Sequence, residues 1–225
     1  MNLGIPISLC LACKVKDKVI RTKARKVESV FYFWIMKALI LENLYEAQEV
    51  LEEFVGQTEN ILAIEKAAAI MVQAIQDGNK IIACGNGGSM TDAMHFAEEL
   101  SGVFREKRPA LPAISISDPS HITCTANDYS FDEIFSRYVE GLGQQGDVLL
   151  AISTSGNSMN IIKAAEAAAG KGMRVVGLSG KTGGLLAGMA DQEIRVRGRK
   201  HSDRIQEVHI KILHILVLII EKEVF

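Results

Sequence analysis

Cysteine, net charge and long apolar runs are all scarce in this sequence, and each scarcity removes a class of protein. Cysteine occurs only at Cys10, Cys13, Cys84 and Cys124. Four in a chain of 225 residues make no disulfide framework, so the expected setting is a reducing compartment, the cytoplasm. Cys10 and Cys13 form a single CxxC with no second pair, which falls short of the four ligands a structural zinc site takes. The formal net charge is −2, so the chain as a whole offers no electrostatic footprint for nucleic acid. The most apolar stretch, Val208 to Ile220, is 13 residues long and carries His209, Lys211 and His214. A membrane span needs about 20 apolar residues, so this stretch reads as a buried helix and no membrane association is expected.

The charge is unevenly spread. Residues 1–35 hold seven Lys and Arg against Asp17 and Glu28, a net of +5 that leaves −7 to the rest. This segment lacks helical periodicity and turn chemistry, and its apolar Leu3–Cys13 precedes the basic run, the reverse of a secretory signal. It is expected to be a poorly ordered, non-core extension arising from an upstream start codon. Met36 stands where helical pattern begins, and 36–225 is expected to form one domain.

Within that domain two apolar periodicities alternate. Leu41, Leu44, Tyr45, Val50, Leu51 and Phe54 recur at helical spacing, and Ile61 to Ile75 is a second, alanine-rich helix closed by Asp77-Gly78-Asn79. Short continuous apolar runs then appear at 80–84, 113–117, 148–153, 174–179 and 193–196, the pattern of strands buried on both faces. Helical patterns at 90–101, 130–142 and 158–170 separate most of them, and a long helix over about 202–224 closes the chain. The expected fold class is α/β: a three-layer αβα sandwich around a parallel sheet of five strands, with long N- and C-terminal helices.

Ligands of such sheets bind beyond the carboxyl ends of the strands, and two loops there are unusual. Gly85-Asn86-Gly87-Gly88-Ser89 follows the first strand. Its glycines let a ligand approach backbone N–H groups at a helix N-terminus. It is neither a dinucleotide fingerprint nor a P-loop, and a plain tight turn with Ser89 as N-cap accounts for it equally well. Ser153-Thr154-Ser155-Gly156-Asn157-Ser158 follows the third strand. Four hydroxyls in six residues exceed what capping requires, and together with free helix N–H groups they suit a phosphate.

Acid/base and metal-ligand candidates lie on helices. His95 and Glu99, four residues apart, share a face. They suit a metal, an acid/base pair, or simply a solvated i,i+4 contact. The last helix offers Gln206, Glu207, His209 and His214. His214 sits in the apolar Ile212-Leu213-His214-Ile215-Leu216, where burial is expected and where a core histidine with satisfied nitrogens is the plain alternative. Asp203 and Arg204 fit first-turn charges.

Five blocks together give the chain a family resemblance over residues 36–225: Cys84-Gly85-Asn86-Gly87-Gly88-Ser89, Asp92 to Leu100, Ala126-Asn127-Asp128, Ser153 to Ser158, and Asp203 to Lys211. The sequence resembles the sugar isomerase (SIS) domain family and, more narrowly, the phosphoheptose isomerases; the serine loop alone marks only the broader class. The resemblance implies a homotetramer with active sites between subunits. It implies conversion of D-sedoheptulose 7-phosphate to D-glycero-D-manno-heptose 7-phosphate, the first step toward the heptose of lipopolysaccharide. It implies one zinc ion per subunit at His95, Glu99, Gln206 and His214. Substrate contacts carry over to Asn86, Gly87, Gly88, Asn127, Asp128, Ser153, Thr154, Ser155, Ser158, Glu99 and Gln206, with Ser89 and Asp203 in or beside the site. Met90-Thr91 stands where a His-Cys is often found, and the basic Arg197–Ser202 replaces a Pro-containing stretch. Neither change touches a residue assigned to chemistry.

Ketose–aldose interconversion moves a proton between C1 and C2 through a cis-enediol, so a carboxylate and an imidazole are the natural pair. Glu99 is the expected base and His214 the acid, while a zinc role for His214 competes with that. The resemblance leaves two alternatives: a non-catalytic SIS protein that binds a replication-initiation protein, and an isomerase of another phosphosugar. The first lacks the full acid/base set, so Glu99 and His214 discriminate against it.

Overall fold

The computed structural model describes residues 34–198 and 201–225. The basic extension therefore lies almost wholly outside the described residues, as do Arg199 and Lys200. By internal packing the chain divides into Met1–Glu46 and Ala47–Phe225. The described part of the first unit, 34–46, is helical; the sheet and the candidate site belong to the second.

Helix α1 covers 34–55 of the described residues, and α2 follows at Thr58–Gln76. The core of the second unit is a five-stranded, all-parallel sheet: β1 (Ile81–Gly85), β2 (Ala113–Ser115), β3 (Val148–Ser153), β4 (Arg174–Gly180) and β5 (Gln192–Val196), in the order β2-β1-β3-β4-β5. Every residue of β1 and β3 is buried, as a central strand with helices on both faces requires. Between the strands run α3 (Gly88–Ser101), α4 (Pro119–Asp128), a 3-10 turn (Phe131–Glu133), α5 (Ser136–Leu142), α6 (Met159–Gly170) and α7 (Leu186–Met189); α8 (Ser202–Val224) closes the chain.

Two apolar clusters sandwich the sheet. One gathers Val50 and Phe54 with α2, α3 and α8; the other gathers the α5, α6 and α7 residues. In α8, Ile205, Val208, Ile212, Leu213, Leu216, Val217 and Ile220 are buried, which is the i, i+3, i+4, i+7 stripe of a helix packed along one side. The strands stand where the apolar runs predict them. The expected 130–142 helix is instead a 3-10 turn and a short helix with a break between. Helix α4 has no counterpart in the apolar pattern, because only Thr125 of its ten residues is buried. Its start is written in other chemistry, since Asp118 caps the His121 N–H and Pro119 occupies the first turn.

The strand order reverses between β1 and β3, and Gly85 pairs with Ile152 in their register. The loops after these two strands therefore emerge side by side at the topological switch point, the ligand-binding position of open parallel sheets.

Candidate active site

The loop after β1 turns directly into α3. Gly87, at φ 55, is the N-cap and no side chain caps the helix. The reading of Ser89 as N-cap is thereby corrected: the helix starts before it, and Ser89 is buried within the first turn. Gly88 is glycine because α8 lies against it. A Cβ there would stand 2.7 Å from Gln206 Nε2, so a larger residue would push Gln206 away. Gln206 Nε2 donates to Ser89 Oγ at 3.4 Å, joining α8 to the mouth of the loop.

The serine loop is internally ordered. Gly156 N–H donates to Ser153 Oγ at 3.2 Å and Asn157 N–H to Ser155 Oγ at 3.1 Å. Ser153 Oγ also lies 3.5 Å from Ser155 Oγ and 3.4 Å from Ser158 Oγ. Ser158 occupies the N-cap of α6 yet makes no side-chain capping bond, so its hydroxyl does not satisfy the first N–H groups of the helix. Hydroxyls clustered at a helix N-terminus are chemically suited to an anion. The two loops are tied to each other by a residue that the sequence pattern does not single out. Asn160, buried at the start of α6, exchanges reciprocal 2.8 Å hydrogen bonds with Asn86.

The third group lies on the seam of α3 and α8. His95 Nε2 is 3.1 Å from Glu99 Oε1, His214 Nε2 is 3.6 Å from the same oxygen, and the two imidazole nitrogens are 3.4 Å apart. Their donor atoms all lie within 4.8 Å of one another. Glu99 is the deepest of the three, its side chain 13% exposed against 43% for His95 and 40% for His214. His214 is thus more open than its apolar neighbours lead one to expect. Glu99 Oε2 is buried without a hydrogen-bond partner. Two imidazoles meeting nitrogen to nitrogen beside a carboxylate, with one carboxylate oxygen unclaimed, fit a divalent cation. Gln206 stands eight residues, more than two turns, back along α8 from His214 and meets Ser89 and Gly88 rather than the histidines.

Asp92 shares the His95 face of α3, three residues away, and the sequence pattern gives it no role. Its Oδ2 is buried and unpartnered, and burial pushes its carboxyl up to about 6, partly offset by His95. Its spacing from His95 was the available signal. Asn127, Asp128 and Asp203 are exposed, and they make local contacts: Asn127 Nδ2–H donates to Asp128 Oδ1 at 2.7 Å, and Asp203 pairs with Arg204.

His209, rather than His214, is the core histidine of α8. It is fully buried, and its Nε2–H donates to the Ser179 carbonyl at 2.9 Å while Nδ1 has no partner. Burial pushes its pKa down to about 4 from an ordinary 6.5. Between those values the unfolded chain binds the proton and the folded chain does not, so stability falls as pH drops from 6.5 toward 4. From pH 7 to pH 5 this group alone costs about 2 kcal/mol. His209→Gln keeps a donor for Ser179 and cannot be protonated. In urea denaturation at fixed protein concentration, the parent's loss between the two pH values should exceed the variant's by about that amount; equal losses would count against the assignment.

A parallel sheet with a glycine loop and a hydroxyl-rich loop side by side at its switch point, and no dinucleotide or P-loop motif, defines an open α/β domain suited to a small phosphorylated ligand. The family model described as the SIS domain matches residues 44–180, more than half of the chain. Curated phosphoheptose isomerases are similar to it: that of Pectobacterium atrosepticum is 59% identical and that of Tolumonas auensis 56% identical, each over 185 residues covering 82% of this chain and 96% of the relative. Among solved structures, phosphoheptose isomerase from Neisseria gonorrhoeae superposes with TM-score 0.77 at 37% identity, covering 83% of this chain and 99% of that one. The Francisella tularensis enzyme also gives 0.77, at 38% identity over 81% of this chain and 96% of that one. The chain belongs to the phosphoheptose isomerase family of SIS domain proteins.

Proposed function

We propose that this protein isomerises D-sedoheptulose 7-phosphate to D-glycero-D-manno-heptose 7-phosphate, the entry to the heptose of lipopolysaccharide, as a cytoplasmic homotetramer with active sites between subunits. The observation that carries the reading is the meeting of Glu99, His95 and His214 on the α3–α8 seam. Helix α3 begins at the glycine loop, so the reacting groups and the phosphate cradle share one scaffold.

The serine-loop hydroxyls of Ser153, Thr154, Ser155 and Ser158, with the α6 N-terminus, hold the phosphate and so fix the far end of the open-chain sugar. Asn86, Gly87, Gly88, Ser89 and Gln206 line the glycine-loop side, and Asn127, Asp128 and Asp203 supply further polar contacts to the sugar. Glu99 takes the proton from C1 while the C2 oxygen gains one, giving the cis-enediol. The C1 hydroxyl then gives up its proton, and Glu99 returns its own to C2. Wherever its Nε2 is not held by a cation, His214 serves the oxygens as acid and base in turn; the two roles compete. His95, Glu99 and His214 are the residues that would hold one zinc ion per subunit, and Gln206 would join them only by leaving its contact with Ser89. Zinc bound there supplies Lewis-acid polarisation of the sugar carbonyl.

The purified protein should convert sedoheptulose 7-phosphate to the aldose in preference to other ketose phosphates. Exhaustive chelation should lower the rate by at least tenfold and added zinc should restore it. No turnover of this sugar by zinc-supplemented protein would sink the proposal. The non-catalytic reading gives no reason for Glu99, His95 and His214 to converge.

A further inference from the structure

The loop that leaves α3 carries a residue, Arg108, that hydrogen-bonds to both α3 and α8. Helix α3 ends at Ser101, and its last carbonyls have no intrahelical partner. Arg108 fills that place from the following loop. Its Nη2–H donates to the Glu99 carbonyl at 2.7 Å, and its Nη1–H group to the carbonyls of Leu100 at 2.5 Å and Gly102 at 3.3 Å. Its Nε–H donates across the seam to Glu221 Oε1 on α8 at 2.8 Å. Both partners of this ion pair are nearly enclosed, the Arg108 side chain at 7% exposure and Glu221 at 12%. Glu221 lies seven residues, two helical turns, beyond His214 on the same helix face. The same loop supplies Phe104, whose ring stacks on His214 with centroids 5.9 Å apart.

We propose that Arg108 is a positioning residue: its guanidinium binds the backbone of Glu99 and the helix bearing His214 at once, and so sets the spacing between them. One side chain grips α3 at Glu99 itself and α8 two turns beyond His214, and it touches neither reacting group. The planar fork is what allows this, because it presents donors in several fixed directions. A lysine ammonium at the end of a flexible stem can keep the charge but cannot reach the carbonyls of Glu99, Leu100 and Gly102 and the Glu221 carboxylate together. The proposal rests on the isomerase reading for its kinetic consequence. Its effect on metal binding at His95, Glu99 and His214 does not depend on that reading.

Two variants, Arg108→Lys and Glu221→Gln, test it in the full-length protein. Each is assayed for binding of cobalt(II) by visible absorption, for kcat and KM with sedoheptulose 7-phosphate, and for thermal midpoint. Arg108→Lys should weaken cobalt binding and lower kcat by roughly 10–100-fold, with KM within about twofold because the phosphate is held elsewhere. Glu221→Gln, which loses only the charge of the cross-helix arm, should move both quantities the same way by less. A merely structural clamp would lower the thermal midpoint and leave cobalt affinity and kcat per folded molecule at parent values, and that result overturns the proposal. If Arg108→Lys fails to fold, parent-like cobalt affinity and kcat in Glu221→Gln overturn it alone. A parent protein that binds cobalt but does not turn over the sugar refutes the isomerase reading instead, and leaves the cobalt comparison to decide the role of Arg108.

Discussion

Glu99→Gln should abolish isomerisation while leaving the protein folded and able to bind sugar phosphate. The substitution is nearly isosteric, and Glu99 Oε1 occupies a defined position, 3.1 Å from His95 and 3.6 Å from His214. An amide can hold that place and still donate or accept a hydrogen bond, but it cannot take a proton from carbon. General-base removal of this kind lowers rates by about 10²–10⁴-fold, and here the same group both removes and returns the proton, so the upper part of that range is expected. KM should move little, because the serine loop and α6 hold the phosphate without Glu99. Glu99 is also a cation donor, so the kinetic loss needs a companion measurement. Cobalt titration of the variant separates a lost base from a lost ion. Activity that stays absent at saturating metal assigns the loss to proton transfer, and activity restored by excess metal assigns it to the ligand role. Turnover at the parent rate would remove Glu99 from the chemistry altogether.

Most of the scaffold was legible in the sequence because parallel strands buried on both faces leave continuous apolar runs, as Ile81–Cys84 and Val148–Ile152 do. Helix α4 was not, because a helix that buries only Thr125 leaves no apolar period to read. The two functional loops were legible for a different reason: glycine and hydroxyl residues are concentrated there beyond what turns and caps need. The pairing of those loops through Asn86 and Asn160 was not, since a lone asparagine early in a helix looks like any other. The histidines of α8 show the limit most clearly. His214 sits in the more apolar stretch of the sequence and His209 between Glu207 and Lys211, yet His209 is fully buried against β4 while His214 lies on the α3 seam and is 40% exposed. Five residues is 500° of helical rotation, about 140° beyond one full turn, so the two project from different sides of α8. The helix's absolute orientation decides which one meets α3, and that is set by its packing against α2, α3 and the sheet rather than by local sequence. Arg108 was invisible for a related reason, because its partners are backbone carbonyls and a glutamate 113 residues away.

Gly156→Ala should be the most damaging single-methyl change in the phosphate cradle. Gly156 sits at φ +65, and a Cβ built on it would lie 1.9 Å from the Gly183 carbonyl oxygen and 2.4 Å from its carbon. Both obstacles are backbone, so no side-chain rotation relieves them. Nor can the opposing loop simply retreat. Leu186 N–H donates to the Gly156 carbonyl at 3.0 Å and Leu185 N–H to Asn157 Oδ1 at 3.0 Å, which interlocks the serine loop with the turn after β4. The left-handed conformation costs a non-glycine residue roughly 1–2 kcal/mol, and forcing an extra carbon into a packed contact costs about 1–3 kcal/mol more. A total of roughly 2–5 kcal/mol corresponds to a fall in thermal midpoint of about 5–15 °C for a domain of this size. The strain falls on the segment that holds Ser153, Ser155 and Ser158, so KM for the sugar phosphate should rise by about tenfold or more, a loss of about 1.4 kcal/mol of phosphate binding. The kcat of the folded fraction should change less, because Glu99 and His214 stand on other elements. Gly170→Ala is the matched control, since Gly170 ends α6 at an ordinary φ with nothing within 4 Å of an added Cβ. That variant should be neutral or more stable by about 0.4–1 kcal/mol through its unfolded state. A Gly156→Ala protein with the parent's midpoint and KM would mean that the two loops do not interlock as described.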